Sequence, residues 1–207
     1  MIEAIDEFWS WFGANAAAMT NACRENQSQF LDAEITPRIR RIADGLGWEI
    51  GPYAYPDEAL VFSPPTYDEL SIVRTIVSRA PEIPGWKFFA CKPPKDLLSL
   101  TFDLGGKRIV ADLWTYRLTA YNNYEFVDIE IFYPQSVAIP AGMEASLAEL
   151  IVEALVGEEM RLEKVGEIEI KKVQFPERTE NASQIWTLGP QMNDIFASER
   201  RDGNQLH

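Results

Sequence analysis

The stretch LLSLTFDLGGKRIVADLWTYRLTAYNNYEFVDIEIFY, running from Leu97 to Tyr133, decides the fold. At its centre Gly105-Gly106 predicts a two-residue hairpin turn, because both central positions of the favoured turn need positive φ. That turn sets Leu104 opposite Lys107, Asp103 opposite Arg108, Phe102 opposite Ile109, Leu100 opposite Ala111 and Leu98 opposite Leu113. Leu98, Leu100, Phe102, Ile109 and Leu113 then share an apolar face. Asn122-Asn123 reads as the next turn. As a simple two-residue loop it sets Arg117 opposite Asp128 and Thr115 opposite Glu130, with Trp114, Tyr116 and Leu118 facing Ile131, Ile129 and Val127. The apolar surface then changes sides along one strand. A bulge or an odd loop that shifts the register by one resolves the conflict, as does a sheet covered on both faces; the reading favours the shift. Under it Asp112, Asp128 and Glu130 share the outer face with Trp114 and Tyr116.

Outward from this meander, helices and strands alternate irregularly. Ile2, Ile5, Phe8, Trp9, Phe12 and Ala16 recur at spacings of three and four, which predicts a helix over about Glu3 to Arg24 with Trp11 off the stripe. Ile35, Ile39, Ile42 and Leu46 mark a second helix, with Thr36-Pro37 as N-cap and first helical residue. Thr66-Tyr67-Asp68-Glu69 is a capping box that opens a third, carrying Leu70, Val73, Ile76, Val77 and Ala80. A fourth, over about Glu144 to Val156, stops at Gly157. Trp48 to Ile50 and Leu60 to Phe62 predict a hairpin. Trp86 to Cys91 and Val165 to Ile170 predict further strands. The order argues an α+β fold, a mainly antiparallel sheet with a strand meander and helices packed on one face. Length and the lack of a linker or internal repeat suggest one domain over residues 1–176, followed by a polar tail, 177–207, partly docked through Ile185, Trp186 and Leu188.

Composition removes whole classes of function. The 19 Lys and Arg against 32 Asp and Glu give a net charge of −13, the wrong long-range field for a nucleic-acid binder. Arg38, Arg40 and Arg41, with Arg24 upstream, read as a solvated helix face paired with Asp32, Glu34 and Asp44. No apolar run reaches the ~18 residues of a membrane span, and the acidic start does not look like a secretory signal, so a cytoplasmic protein is expected. Cys23 and Cys91 are the only cysteines and His207, the last residue, the only histidine. A Ser-His-Asp or Cys-His relay and a His/Cys zinc site therefore have no parts. No phosphate- or dinucleotide-binding glycine motif is present, so no cofactor is expected.

Two readings of the meander follow. Asp112, Trp114, Tyr116, Tyr121, Tyr124, Asp128 and Glu130 form a candidate partner surface, since amphipathic rings beside charge dominate protein interfaces. Joined to the acidic charge, they suggest a protein-binding module for a basic protein partner, in the manner of an immunity protein or antitoxin. The alternative is a carboxylate-dependent enzyme, metal-assisted through Asp112, Asp128 and Glu130. Against both stands the plain observation that alternating carboxylates are what the solvent face of an antiparallel sheet looks like. The reading leans away from an enzyme and assigns no catalytic, metal or cofactor residue.

Phe8-Trp9-Ser10-Trp11-Phe12, Leu60-Val61-Phe62-Ser63, Ala80-Pro81-Glu82-Ile83-Pro84-Gly85-Trp86-Lys87-Phe88 with Lys92-Pro93, and Leu155-Val156-Gly157-Glu158 together resemble a group of uncharacterised bacterial proteins of unknown function. The likeness covers roughly Glu3 to Ile170. It implies a bacterial, cytoplasmic, single-domain α+β protein and carries no catalytic residue with it.

Overall fold

The computed structural model describes residues 1–54, 56–121, 125–174 and 181–202. The chain divides into two compact units, Met1–Lys92 and Pro93–His207. Each unit has its own apolar core. Both are α+β, and antiparallel pairings predominate.

In the first unit the apolar stripe makes α1 (Ile2–Arg24), burying Ile5, Phe8, Trp9, Phe12 and Met19. The second helix, α2 (Ser28–Ile42), starts well before the expected cap, and Pro37 lies inside it. Leu31 and Ile35 extend the buried stripe backward, and burying them outweighs the one amide donor that proline removes. Thr36 is therefore mid-helix, its hydroxyl donating to Asp32 Oδ1 at 2.7 Å and accepting from Trp48 Nε1 at 2.9 Å. Strands β1 (Gly47–Pro52) and β2 (Glu58–Ser63) form the expected hairpin, with Trp48 opposite Phe62 and Ile50 opposite Leu60. Thr66 caps the turn that leads into the third helix, its hydroxyl oxygen accepting from the Asp68 amide at 3.3 Å; in place of a reciprocal amide bond, the hydroxyl donates to the Glu69 carboxylate. One 3-10 turn, Tyr67–Glu69, precedes α3 (Leu70–Ser78). That helix returns the chain to β3 (Trp86–Phe89), which runs parallel to β2. Phe8, Trp9, Phe12, Phe62, Trp86 and Phe88 interlock edge to face in this core, and Trp9 Nε1 donates to the Ile76 carbonyl at 2.8 Å.

The second unit opens on β4 (Thr101–Leu104) and β5 (Lys107–Val110), paired in the predicted register around Gly105-Gly106. The hairpin then departs from expectation. Leu98 and Leu113 are 104% and 76% exposed and belong to no apolar face. Rather than one strand from Lys107 to Leu118, the chain turns at Ala111–Trp114, the Trp114 amide donating to the Ala111 carbonyl at 3.0 Å. Asp112 holds that turn, accepting from the Leu100 amide at 2.6 Å and the Ser99 hydroxyl at 2.9 Å. Beyond it, β6 (Thr115–Tyr121) pairs with β7 (Phe126–Pro134), Tyr116 opposite Ile131 and Arg117 opposite Glu130. Four residues, not two, separate Tyr121 from Phe126, so the register moves by two rather than one and no side chain changes face. Asn122 and Asn123 lie outside the described residues.

From β7 the chain passes through α4 (Glu144–Val156), turns at Gly157 with φ 84°, and makes α5 (Glu158–Lys164), a helix that escaped the sequence reading. It then enters β8 (Val165–Val173), parallel to β7. The C-terminal stretch docks through Ile185 and Leu188, as expected, and forms regular structure. Ser183–Gln184 adds strand β9 to β6, and after a 3-10 turn α6 (Leu188–Asp202) buries Leu188, Met192 and Phe196. The sheet order is β8-β7-β6-β9. The two units thus share one motif, an antiparallel pair followed by a helical crossover to a third strand parallel to the second.

Candidate functional site

Alternation along β6, β7 and β8 sorts the residues of the second sheet by face. Tyr116, Val127, Ile129 and Ile131 point into the core with Trp114, and all five are buried. This corrects two of the expected surface residues. Trp114 is 1% exposed and packs on Tyr133 with ring centroids 5.3 Å apart. Tyr116 is equally buried, and its hydroxyl engages Thr187 Oγ1 at 3.0 Å and Gln191. Burial raises its pKa, and the hydrogen bonds to Thr187 and Ser183 oppose that rise. Neither residue reaches a partner. Tyr124 lies outside the described residues.

The other face carries Arg117, Thr119, Tyr121, Asp128 and Glu130, joined by Glu167, Glu169 and Lys171 of β8. The β8 residues escaped the sequence reading because a parallel neighbour reached through two helices leaves no local signal; the alternation Glu167-Ile168-Glu169-Ile170 marks a strand but not its place. Glu130 sits between two cations, Arg117 Nε at 2.7 Å and Lys171 Nζ at 2.5 Å. The hydrogen bonds from Arg117 and then Lys171 hold its carboxyl at a pKa of about 2. Lys171 also meets Glu169 at 2.6 Å. Asp128 Oδ1 accepts from the Glu167 amide at 2.8 Å, and the Tyr121 hydroxyl donates to the same carboxylate, which raises the phenol's pKa. Gly166 makes this cap feasible, since a Cβ there would sit 2.5 Å from Asp128 Oδ1. Tyr121 is 42% exposed and stacks on Phe126, 5.5 Å between centroids.

Between these side chains lies an open depression of about 280 Å³, lined by Thr119, Tyr121, Asp128, Ile129, Glu130, Glu167 and Glu169. Four carboxylates surround it and two cations compensate them. Asp112 does not belong to the group; its carboxylate is committed to the turn at Ser99 and Leu100. Among the described residues no cluster of three or more His, Cys, Asp and Glu is placed to hold a metal ion.

Elsewhere, two arginines of the α2 cluster are engaged in pairs and stacking. Arg38 meets Glu34 at 3.0 Å and covers the off-stripe Trp11 at 3.9 Å, while Arg41 meets Glu7 at 2.5 Å. Neither Cys23 nor Cys91 is in a disulfide. Burial, with Glu58 beside it, pushes the Cys23 thiol up to about 11, the opposite of what a nucleophilic cysteine needs.

Fold and site together define an α+β protein of two units, with one sheet face built as an acidic, salt-bridged surface. No protein-family model matches the chain, and no curated protein and no solved structure matches it. No helix among the described residues is long and apolar enough to cross a membrane.

Proposed function

We propose that the protein is a cytoplasmic binding module whose acidic sheet face takes a basic protein partner, in the manner of an immunity protein or antitoxin. One observation carries the reading: the exposed Tyr121–Phe126 stack borders a depression where Asp128, Glu130, Glu167 and Glu169 outnumber Arg117 and Lys171. An aromatic pair beside uncompensated charge supplies contact area together with a field that draws in an opposite charge. Glu130 is neutralised by Arg117 and Lys171 and serves as framework, and Glu169 shares Lys171 with it, which leaves Asp128 and Glu167 foremost to meet a partner's Lys or Arg. Two cysteines outside any disulfide and a net charge of −13 suit a reducing compartment and an acidic surface.

The test is titration with an arginine-rich peptide near physiological ionic strength, where nonspecific attraction is damped. Reversal of Glu167 and Glu169 to Lys is expected to weaken binding at least about tenfold, as buried or bordering charge pairs do. A variant with the same net charge, Glu3→Lys with Glu25→Lys, is expected to bind as the parent does. Equal affinities for the two variants would refute the assignment of the face.

A further inference from the structure

Strand β8 is the outer strand of its sheet, and among the described residues no strand pairs with its far side. The alternation of a parallel ladder tells which backbone groups point there. The Gln135 amide donates to the Val173 carbonyl at 3.0 Å, so Val173, and with it Lys171 and Glu169, turn their amides and carbonyls toward β7. Ile168, Ile170 and Lys172 turn theirs outward. On the core side Ile168 and Ile170 are only partly buried, so among the described residues this edge presents unpaired backbone beside incompletely covered apolar surface. Such an edge invites another strand.

We propose that the chain self-associates through β8, which pairs antiparallel with the β8 of a second copy about a two-fold axis at Ile170. The side chains select both partner and register. Opposite residues of an antiparallel pair share a face, so only registers that keep alternation in phase bury the isoleucines together. Centred on Ile170, the pairing sets Ile170 against Ile170 and Glu169 against Lys171 twice, on the exposed face. It also lays each Lys172 stem over Ile168. Centred one residue earlier it would set Glu169 against Glu169, and like charges directly opposite destabilise. The outward-facing residues would form about six ladder hydrogen bonds across the axis. This inference does not depend on the basic-partner reading, since its backbone pairing uses the edge of the sheet; Glu169 and Lys171, which border both, are ion-paired within the chain and would exchange that pairing for one across the axis.

Sedimentation at high micromolar concentration and physiological salt is expected to give twice the 23.5 kDa chain mass. Lys172→Pro removes an outward amide while leaving the β7 ladder intact, as proline on the solvent edge of a strand does. It is expected to weaken the dimer at least about tenfold relative to Lys172→Ala, through two lost hydrogen bonds. Register is read in a Cys23→Ser background by mixing Glu169→Cys with Lys171→Cys chains. Their Cα atoms, ~4.5 Å apart in a non-hydrogen-bonded pair, lie within disulfide range. A disulfide-linked heterodimer is expected in the mixture, with little cross-linking of either variant alone. A monomeric parent chain, an unchanged Lys172→Pro dimer, or Glu169→Cys cross-linking chiefly to itself would overturn the proposal.

Discussion

Gly189 poses a contest between two effects of opposite sign. It lies in the first turn of α6, where alanine is the better helix former by at most about 1 kcal/mol, less so near a frayed end. An alanine Cβ at this position would lie 2.5 Å from the Leu155 carbonyl oxygen and 3.5 Å from its carbon. Ordinary contact begins near 3.4 Å, so the methyl group intrudes by roughly 0.9 Å on an atom that cannot rotate away. Relief requires α6 to move away from α4, and α6 carries Leu188, Met192 and Phe196 in the core. Overpacking of this kind costs about 1 to 3 kcal/mol, which exceeds the propensity gain. Gly189→Ala is therefore expected to destabilise the second unit by about 1 to 2 kcal/mol, measured by urea denaturation with amide exchange followed in α6. Gly51→Ala is the control, because nothing lies within 4 Å of the Cβ it would add. A Gly189→Ala protein as stable as the parent would refute the reasoning that backbone approach, not helix propensity, requires glycine there.

Glu130→Gln is expected to lower stability by about 1 to 2 kcal/mol at neutral pH, since it weakens two charge-assisted hydrogen bonds at a partly exposed site. The folded-state pKa of about 2 lies below the ordinary carboxylate value, so the wild-type advantage is present above about pH 4.5 and fades as pH falls toward about 2; parallel urea titrations in which the gap stayed constant over that window would contradict this. Asp112→Ala should cost about 1 to 3 kcal/mol by leaving the Leu100 amide without its acceptor, with Asp112→Asn much closer to the parent in thermal unfolding. For Cys23, a thiol held at about 11 should react with iodoacetamide near pH 8 at roughly one hundredth the rate its ordinary pKa would allow. Glu58→Gln should accelerate that reaction, because the carboxylate adjoins the sulfur at 3.6 Å.

Local signals survived into the structure, and signals that depend on distant neighbours did not. The α1 stripe, the Thr66 cap, the Gly105-Gly106 register between Thr101 and Val110 and the stop at Gly157 each rest on interactions within a few residues, and each is found where the pattern puts it. The start of α2 was misplaced because Thr36-Pro37 mimics a helix entry, whereas Leu31 and Ile35 are buried by packing that no local rule contains. The parallel strands β3 and β8 could be recognised as strands, but their partners could not. Each reaches its neighbour through a helical crossover, so the shared motif of the two units is a repeat of topology without a repeat of sequence.

The candidate face shows why the aromatic residues were misread. Between Lys107 and Leu118 both parities of the sequence carry apolar residues, and a single continuous strand cannot bury both sets on one side. The sequence pattern by itself points to the Asn122-Asn123 end for the break. The physical solution lies at the opposite end, where Asp112 captures the Leu100 amide and the chain turns before β6 begins. A turn resets the alternation, so Ile109 before it and Trp114 and Tyr116 after it all enter the core, while Arg117, Asp128 and Glu130 remain outside. A short polar residue followed by an apolar one that ends up 76% exposed, as with Asp112-Leu113, is the local trace such a break leaves. The same carboxylate that looked like a member of an acidic site is the group that decides which side chains can belong to it.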